Sequence, residues 1–269
     1  MRINFLPSLK LTLRSEGGNV DDKRDPGGRT SRGIIQTVYD AFRRSKGLPL
    51  RDVWTATDEE VAEIYRTQYA DKLRFDDLPV GVDFVVFDAG VNSGVSRGAK
   101  WLQSALGVTS DGVVGAKTIA AATTADPIKL IKSVCANRLS FVRSLTTLFK
   151  TFGKGWTSRI AFTEANGISM SLKSQGSTVA QVADFAKVES RSAKNASTAS
   201  SGAAGGTGVG GGTAATQLDW THLSTLEIGL FVAGAVGAVV LIAYLIHRSR
   251  TQKARAEAYA AVAAEEATA

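Results

Sequence analysis

Two carboxylates and a threonine lie in a glycine-rich stretch near the amino terminus, and these side chains are the best suited to chemistry in the chain. The stretch runs from Glu16 to Ile34 and contains Asp25 and Thr30. Hydrolysis of a polysaccharide needs one protonated carboxyl group that donates to the leaving oxygen. It also needs a second, ionised carboxylate that handles a water or the developing positive charge. Glu16 and Asp25 are the candidates for these two roles.

The cysteine and the histidines do not favour other kinds of catalysis. The single cysteine, Cys135, lies in an apolar helical pattern and is expected to be a small buried side chain. His222 and His247 lie far down the chain, on either side of an apolar segment. Their positions argue against Cys/His or Ser/His catalysis and against a histidine-rich metal site. We therefore expect no metal ion and no organic cofactor.

The positive charge of the chain belongs to its amino-terminal part. Residues 1–160 contain 24 Lys/Arg and 17 Asp/Glu, whereas residues 161–269 contain 8 of each kind. A basic domain favours anionic partners such as cell-wall polymers. The basic residues are scattered and are not interleaved with aromatic residues, so nucleic acid is not an expected partner.

Helical patterns in residues 1–160 predict a mainly helical domain that positions the glycine-rich stretch. A first amphipathic helix ends near Glu16. A capping box at Thr57 and Glu60 begins another helix, whose inner stripe includes Tyr65 and Tyr69. The segment 82–93 is apolar nearly all round, which predicts a central buried helix. Strands are expected to be short, most plausibly a hairpin within residues 18–35.

Glu16 has a setting that suits a proton donor. Its backbone is anchored by the helix that it closes, and Gly17 and Gly18 allow a sharp turn and the close approach of a sugar. A carboxyl group partly covered by apolar neighbours can keep its proton near neutral pH. The plainer alternative is a solvated glutamate at the end of a helix.

The second half of the chain predicts a tether and a membrane anchor. A weakly helical connector at 166–189 is followed by a linker at 190–217, rich in Gly, Ser, Ala and Thr, which predicts flexibility. Ile228–Ile246 contains 19 consecutive uncharged, mostly apolar residues, about 28 Å long as a helix, and predicts a transmembrane helix at 227–246. The tail, 247–269, is basic and then Ala/Glu-rich, which predicts a cytoplasmic carboxyl terminus.

Three motifs in the glycine-rich stretch have the pattern of a known family. They are Glu16-Gly17-Gly18, Asp25-Pro26-Gly27-Gly28 and Thr30-Ser31-Arg32-Gly33-Ile34. The sequence resembles the glycoside hydrolase family 108 of N-acetylmuramidases, found in phage endolysins and bacterial secretion-activator proteins. The resemblance continues through 87–94 and 103–118, and it covers about 160 of the 269 residues.

The resemblance implies a fold, a substrate and a location. The fold would be a lysozyme-like helical domain with a small β-hairpin lobe, comprising a muramidase part at 1–95 and a predicted peptidoglycan-binding part at 96–165. The reaction would be hydrolysis of the β-1,4 bond between N-acetylmuramic acid and N-acetylglucosamine. With the predicted anchor, the catalytic domain would lie on the periplasmic, cell-wall side of the bacterial inner membrane. A phage origin and a holin partner would be consistent with the family.

Residue roles follow from the same resemblance. Glu16 would be the general acid. A similar Glu, Asp, Thr succession in the helical phage lysozymes holds the attacking water, so Asp25 and Thr30 would position that water. The reaction would then invert configuration, with the two carboxyl groups roughly 6.5 to 9.5 Å apart. Asp25 equally suits the first position of a Pro-Gly turn, which leaves Asp21 and Asp22 as alternatives. Thr30 equally suits a hydrogen bond within a hairpin.

Further residues are candidates for binding the substrate. They are Gly17, Gly18, Asn92 and Asp111. Asn92 follows Asp88 by one helical turn on the most apolar helix, where both polar groups need a partner, either substrate or protein. Asp111 suits the turn that follows it, and by resemblance it belongs to a wall-binding element.

The position after Glu16-Gly17-Gly18 departs from the family. The family commonly has an aromatic residue there and a proline further on, where this chain has Asn19 and Lys23. A platform on which a sugar ring stacks is therefore missing or supplied elsewhere. Trp54 and Trp101 are either core residues or such platforms.

Two other functions fit the same residues. A lytic transglycosylase needs one acid/base glutamate but no positioned water. A non-catalytic, membrane-tethered wall binder or secretion activator would need no acid at all.

Overall fold

The computed structural model describes residues 4–21, 28–209 and 225–268. These residues form a mainly helical structure with one small sheet, as the sequence predicts. The helices are α1 (Phe5–Leu13), α2 (Gln36–Ser45), α3 (Asp58–Tyr65), α4 (Val82–Ser93), α5 (Val95–Leu106), α6 (Ala116–Thr124), α7 (Pro127–Ser144), α8 (Thr146–Ser174), α9 (Val179–Val209) and α10 (Thr225–Ala267). The strands are β1 (Asn19–Asp21), β2 (Arg29–Ser31) and β3 (Ile34–Ile35).

The chain divides into two compact units. The first comprises Met1–Phe149 and Asn166–Gln175, and the second comprises Lys150–Ala165 and Gly176–Ala269. The boundary that the sequence predicts between residues 95 and 96 lies inside the first unit. The division into a muramidase part and a peptidoglycan-binding part therefore remains a prediction.

The sheet is antiparallel, in the order β1-β2-β3. Thr30 on β2 pairs with Val20 on β1 and with Ile35 on β3. Arg32 and Gly33 join β2 to β3, and their φ angles of 48° and 76° are both positive. Positive φ at both central residues is the mark of a type I′ turn, which matches the twist of a two-residue hairpin. The hairpin predicted within residues 18–35 is thus confirmed.

The core of the first unit surrounds α4. Phe5 of α1, Phe75 and Phe87 pack edge to face, with ring centroids 5.7 to 5.8 Å apart. All residues of α4 from Val82 to Gly90 are buried. The prediction of a central buried helix is confirmed.

A buried ion pair connects α4 to α7. The Arg138 guanidinium donates from Nη1 to Asp88 Oδ2 at 2.7 Å, and the two side chains are 1% and 2% exposed. Arg138 Nη2 also donates to Asn92 Oδ1 at 3.0 Å. The partner that Asp88 and Asn92 require on the apolar helix is therefore Arg138.

The predicted flexible linker is largely helical. α9 includes residues 190–209 of the predicted linker at 190–217, and residues 210–217 lie outside the described ranges. α9 and α10 run antiparallel, with Ser190 Oγ donating to Ala256 O at 2.9 Å and Ser197 Oγ donating to Ser249 O at 3.1 Å. The small residues of this segment predict flexibility because they have little apolar surface to bury. In the structure their small size lets α10 pack closely against α9, and such tertiary packing supplies most helical stability.

The predicted membrane anchor requires a correction. Within the described part of the chain, no helix has the length and apolar character needed to cross a membrane. The prediction of a transmembrane helix at 227–246, and with it a single-pass protein whose tail is cytoplasmic and whose catalytic domain is periplasmic, is wrong. Residues 225–267 form one long helix, α10, which packs against α9 and buries Tyr259 and Val262.

We expect Arg138→Met to destabilise the protein by about 3 to 5 kcal/mol, because it removes the guanidinium that is paired with the buried Asp88 carboxylate. Urea unfolding of the first unit measures this free energy. Lys46→Met is the matched control, since Lys46 pairs with Glu63 at the surface, where such pairs contribute about 1 kcal/mol or less. Equal losses in the two variants would contradict a structural role for the buried pair.

Candidate active site

Glu16 follows α1 by three residues and is held there by the main chain. Its N–H donates to Leu13 O at 3.2 Å, so the last turn of the helix fixes the glutamate backbone. Its side chain is half-buried. Gly17 has a φ of 78°, and a Cβ added at Gly17 or Gly18 would meet no atom within 4 Å. The main chain that follows Glu16 therefore leaves room for a ligand to approach at Gly17 and Gly18.

The Arg32–Gly33 turn forms one wall of the site. A Cβ added at Gly33 would lie 3.1 Å from Glu16 Oε2 and 2.6 Å from Tyr65 Oη. Tyr65 Oη donates to the Arg32 carbonyl at 2.8 Å, which secures the turn. Only a residue without a side chain fits at this position, so main-chain atoms face the carboxyl group.

Tyr65 and Tyr69 form the other wall. Their ring centroids are 5.6 Å apart, and Tyr69 lies on a π-helical turn, Arg66–Ala70, that continues α3. Burial, and then the charge of Glu16, raise the pKa of Tyr69. Its phenol therefore stays protonated through neutral pH and lies close enough to Glu16 to sense its charge. π-Helical turns occur often at functional sites.

Sequence reasoning placed Tyr65 and Tyr69 on the inner stripe of a helix and missed their contact with the site. The signal available was an aromatic pair four residues apart on the helix that the capping box begins. Nothing local indicates which element such a pair faces, because the contacts with Gly33 and Glu16 join positions more than thirty residues apart.

Thr30 lies in the middle of β2. Its hydroxyl donates to Gly28 O at 3.0 Å, and its carbonyl accepts from Trp54 Nε1 at 3.1 Å. The hydroxyl proton is thus used within the hairpin, while the oxygen keeps acceptor capacity. The role of Thr30 in holding water remains a prediction.

Arg29 lies between one candidate carboxylate, Asp21, and an aromatic ring. Its guanidinium carbon lies 3.5 Å from the centre of the Trp54 ring, and its Nε donates to Asp52 Oδ1 at 2.9 Å. The hydrogen bond from Arg29, and then that from the Trp54 N–H, lower the pKa of Asp52. Arg29 Nη1 also lies 3.5 Å from Asp21 Oδ2. Asp22 and Asp25, the other candidates for the second carboxylate, lie outside the described residues.

Asn92 and Asp111 belong to other groupings. Asn92 bonds to Arg138, as described above. Asp111 Oδ1 accepts from Gln103 Nε2 at 2.7 Å and from the Val113 N–H at 2.9 Å, which closes the loop between α5 and α6. These hydrogen bonds lower the pKa of Asp111, the one from Val113 most. Substrate binding by either residue remains a prediction.

The described ranges hold no group of three or more His, Cys, Asp or Glu side chains arranged to bind a metal ion. Glu16, Tyr65 and Tyr69 are the chemically active side chains that the structure brings together at this site. A carboxyl group beside a main-chain turn and two phenols, followed by two glycines that leave room for a ligand, can exchange a proton with a ligand that reaches it.

Comparisons with known proteins match two consecutive regions of the chain. Residues 9–94 match the family described as Glycosyl hydrolase 108, and residues 97–161 match the family described as Predicted Peptidoglycan domain. Among solved structures, the chain is similar to that of Brucella abortus SagA, with 36% sequence identity and a TM-score of 0.54. The similarity covers 64% of this chain and 97% of that chain. No curated protein matches the sequence significantly.

We expect Gly33→Ala to destabilise the protein by about 3 kcal/mol, because the new methyl group adds an overlap with Tyr65 Oη to the strain of a positive φ. Thermal unfolding provides the measurement. Gly47→Ala is the matched control, since Gly47 has a φ of 65° and open space around it. It should cost about 1 kcal/mol, from backbone strain alone. If both variants lose the same stability, the close approach of the turn to the tyrosine is not what requires glycine.

Proposed function

The chain belongs to the glycosyl hydrolase 108 family, and we propose that it hydrolyses the β-1,4 bond between N-acetylmuramic acid and N-acetylglucosamine with Glu16 as the general acid. As a family member it is a glycoside hydrolase, and its second matched region makes peptidoglycan its partner. The observation that carries the proposal is the position of Glu16. Its half-buried side chain lies three residues after α1, close to the Arg32–Gly33 turn and to Tyr69, and is followed by two glycines that leave room for a ligand.

The surroundings of Glu16 suit proton donation to a glycosidic oxygen. The turn and the end of α1 restrict the Glu16 side chain, so it loses little conformational freedom when a substrate binds. Tyr69 is a neutral phenol close to Glu16, because burial and the Glu16 charge keep its proton in place. A neutral donor can stabilise the carboxylate that forms after the proton leaves, without competing as a base.

The second carboxylate is assigned to Asp25 by the order of the motif. Asp21 is half-exposed and faces Arg29, which binds Asp52 more closely, so its carboxylate is already engaged in a surface cluster. In our proposal Asp25 and Thr30 hold the water that attacks the opposite face of the sugar. The reaction then inverts the anomeric configuration.

The holin partner and the phage origin expected from the resemblance remain predictions. The described residues carry no observation that bears on either.

We expect Glu16→Gln to lower the rate of peptidoglycan hydrolysis by about 100- to 10,000-fold, because the amide cannot donate the proton that the leaving oxygen needs. The release of reducing ends from purified peptidoglycan measures this rate. Glu63→Gln is the matched control, since Glu63 pairs with Lys46 on the surface and should retain wild-type activity. Unchanged activity in Glu16→Gln would reject the general acid, and a wild-type protein that releases no product would favour a non-catalytic wall binder.

We expect Asp25→Asn to lower the rate by about 100-fold or more, whereas Asp21→Asn and Asp22→Asn should each change it less than about threefold. Only the carboxylate that activates water is required for the chemical step. NMR of the fresh products should show the inverted anomer. A large loss in Asp21→Asn or Asp22→Asn would move the assignment to that residue. Products with 1,6-anhydro ends would instead identify a lytic transglycosylase.

A further inference from the structure

Trp54 combines exposure with a fixed position. The residue is 37% exposed, although the Arg29 guanidinium covers its ring at 3.5 Å and its ring nitrogen donates to the Thr30 carbonyl. One face and the polar edge of the indole are therefore occupied by protein. The exposed area belongs to the remaining face and edge.

The ring is held by a closed set of contacts. Asp52 accepts from the Trp54 N–H at 2.9 Å and from Arg29 Nε at 2.9 Å, and Arg29 in turn lies over the indole. Asp52 thus holds the main chain of Trp54 and the guanidinium that covers its ring, and the backbone of β2 fixes the indole nitrogen. A ligand that stacks on an immobile ring loses less free energy to ordering than one that must immobilise a mobile side chain.

The position of Trp54 relates it to Glu16. The indole bonds to Thr30, two residues before the turn whose Gly33 faces the Glu16 carboxyl group. Thr30 and Gly33 belong to the same two-residue hairpin, so the indole and the Glu16 carboxyl group contact the same short stretch of chain. A glycan strand extends over many sugar rings, so a strand bound at Glu16 can also contact the indole.

We infer that the exposed face of Trp54 is a stacking platform for a pyranose ring of the glycan, in a binding subsite next to the one at Glu16. The carbon face of a pyranose is apolar, and its polarised C–H groups are attracted to the negative face of an aromatic ring. Trp54 would supply the platform that this chain lacks at Asn19. The inference rests on the proposed function, because it names a subsite for the same substrate.

Steady-state kinetics on soluble, uncrosslinked peptidoglycan strands test the platform. Trp54→Ala should raise KM about three- to tenfold and change kcat less, since stacking stabilises bound substrate and transition state alike. Trp54→Phe keeps an aromatic face and should raise KM less than Trp54→Ala, although it loses the bond to Thr30. A KM in Trp54→Ala within twofold of wild type would overturn the inference.

Controls separate stacking from folding and from general loss of apolar surface. Leu50→Ala removes a side chain that is 49% exposed in the same loop, and it should leave KM unchanged. Circular dichroism and thermal unfolding of each variant establish that it is folded. If Trp54→Ala proves unfolded, Trp54→Leu is used instead, because leucine keeps apolar bulk but has no flat face. Its KM should rise by the amount expected for Trp54→Ala. A Leu variant with wild-type KM would overturn the inference.

A binding measurement distinguishes failure of the platform from failure of the proposed function. Tryptophan fluorescence of the wild-type chain should change on titration with the same glycan strands, and Trp54→Phe should remove most of that change. This readout requires no turnover. A wild-type protein without hydrolytic activity but with the Trp54-dependent signal would reject the proposed function alone, and an active protein without that signal would reject the platform alone.

Discussion

The carboxylate of Asp88 imposes the strictest constraint on the first unit. It lies on α4, a helix buried on all sides from Val82 to Gly90, where water cannot solvate a charge. The cost of that burial is offset only if an opposite charge arrives with good geometry. Arg138 supplies it from α7 at 2.7 Å, and this requirement sets how α7 packs against α4. Asp88 lies in the region that matches the hydrolase family and Arg138 in the region that matches the peptidoglycan domain, so the two regions share one buried interaction.

The same central helix, α4, also supports Glu16, the proposed general acid. Phe87 of α4 contacts Phe5 of α1 and Tyr65 of α3, with ring centroids 5.7 and 6.4 Å apart. α1 carries Glu16 at its end, and Tyr65 secures the turn that faces the carboxyl group. Aromatic packing in the core thus fixes the walls of the site and makes the site rigid.

Features set by neighbouring residues could be predicted from the sequence, and features set by distant ones could not. The Thr57–Glu60 capping box was readable because its partners are three residues apart, and the structure contains it. The bonds that the same glutamate forms with Arg43 and Arg51 depend on tertiary packing. Likewise, an apolar helix predicts that Asp88 needs a partner but does not identify Arg138. Hydropathy reports composition alone, so the apolar run 228–246 predicts a membrane helix, whereas no helix of the described residues has the length and apolar character to cross a membrane.

The glycine at position 33 limits how the site can change. A wall made of main chain offers no side chain to exchange, so substitution cannot add a charge, a donor or bulk on that side of Glu16. Adaptation to another pH or another sugar must therefore act through the tyrosine wall or through the residues that flank the open side. The turn thus keeps one side of Glu16 chemically constant, and substitutions that alter the site are confined to side chains elsewhere, such as those on α3 and its π-helical continuation.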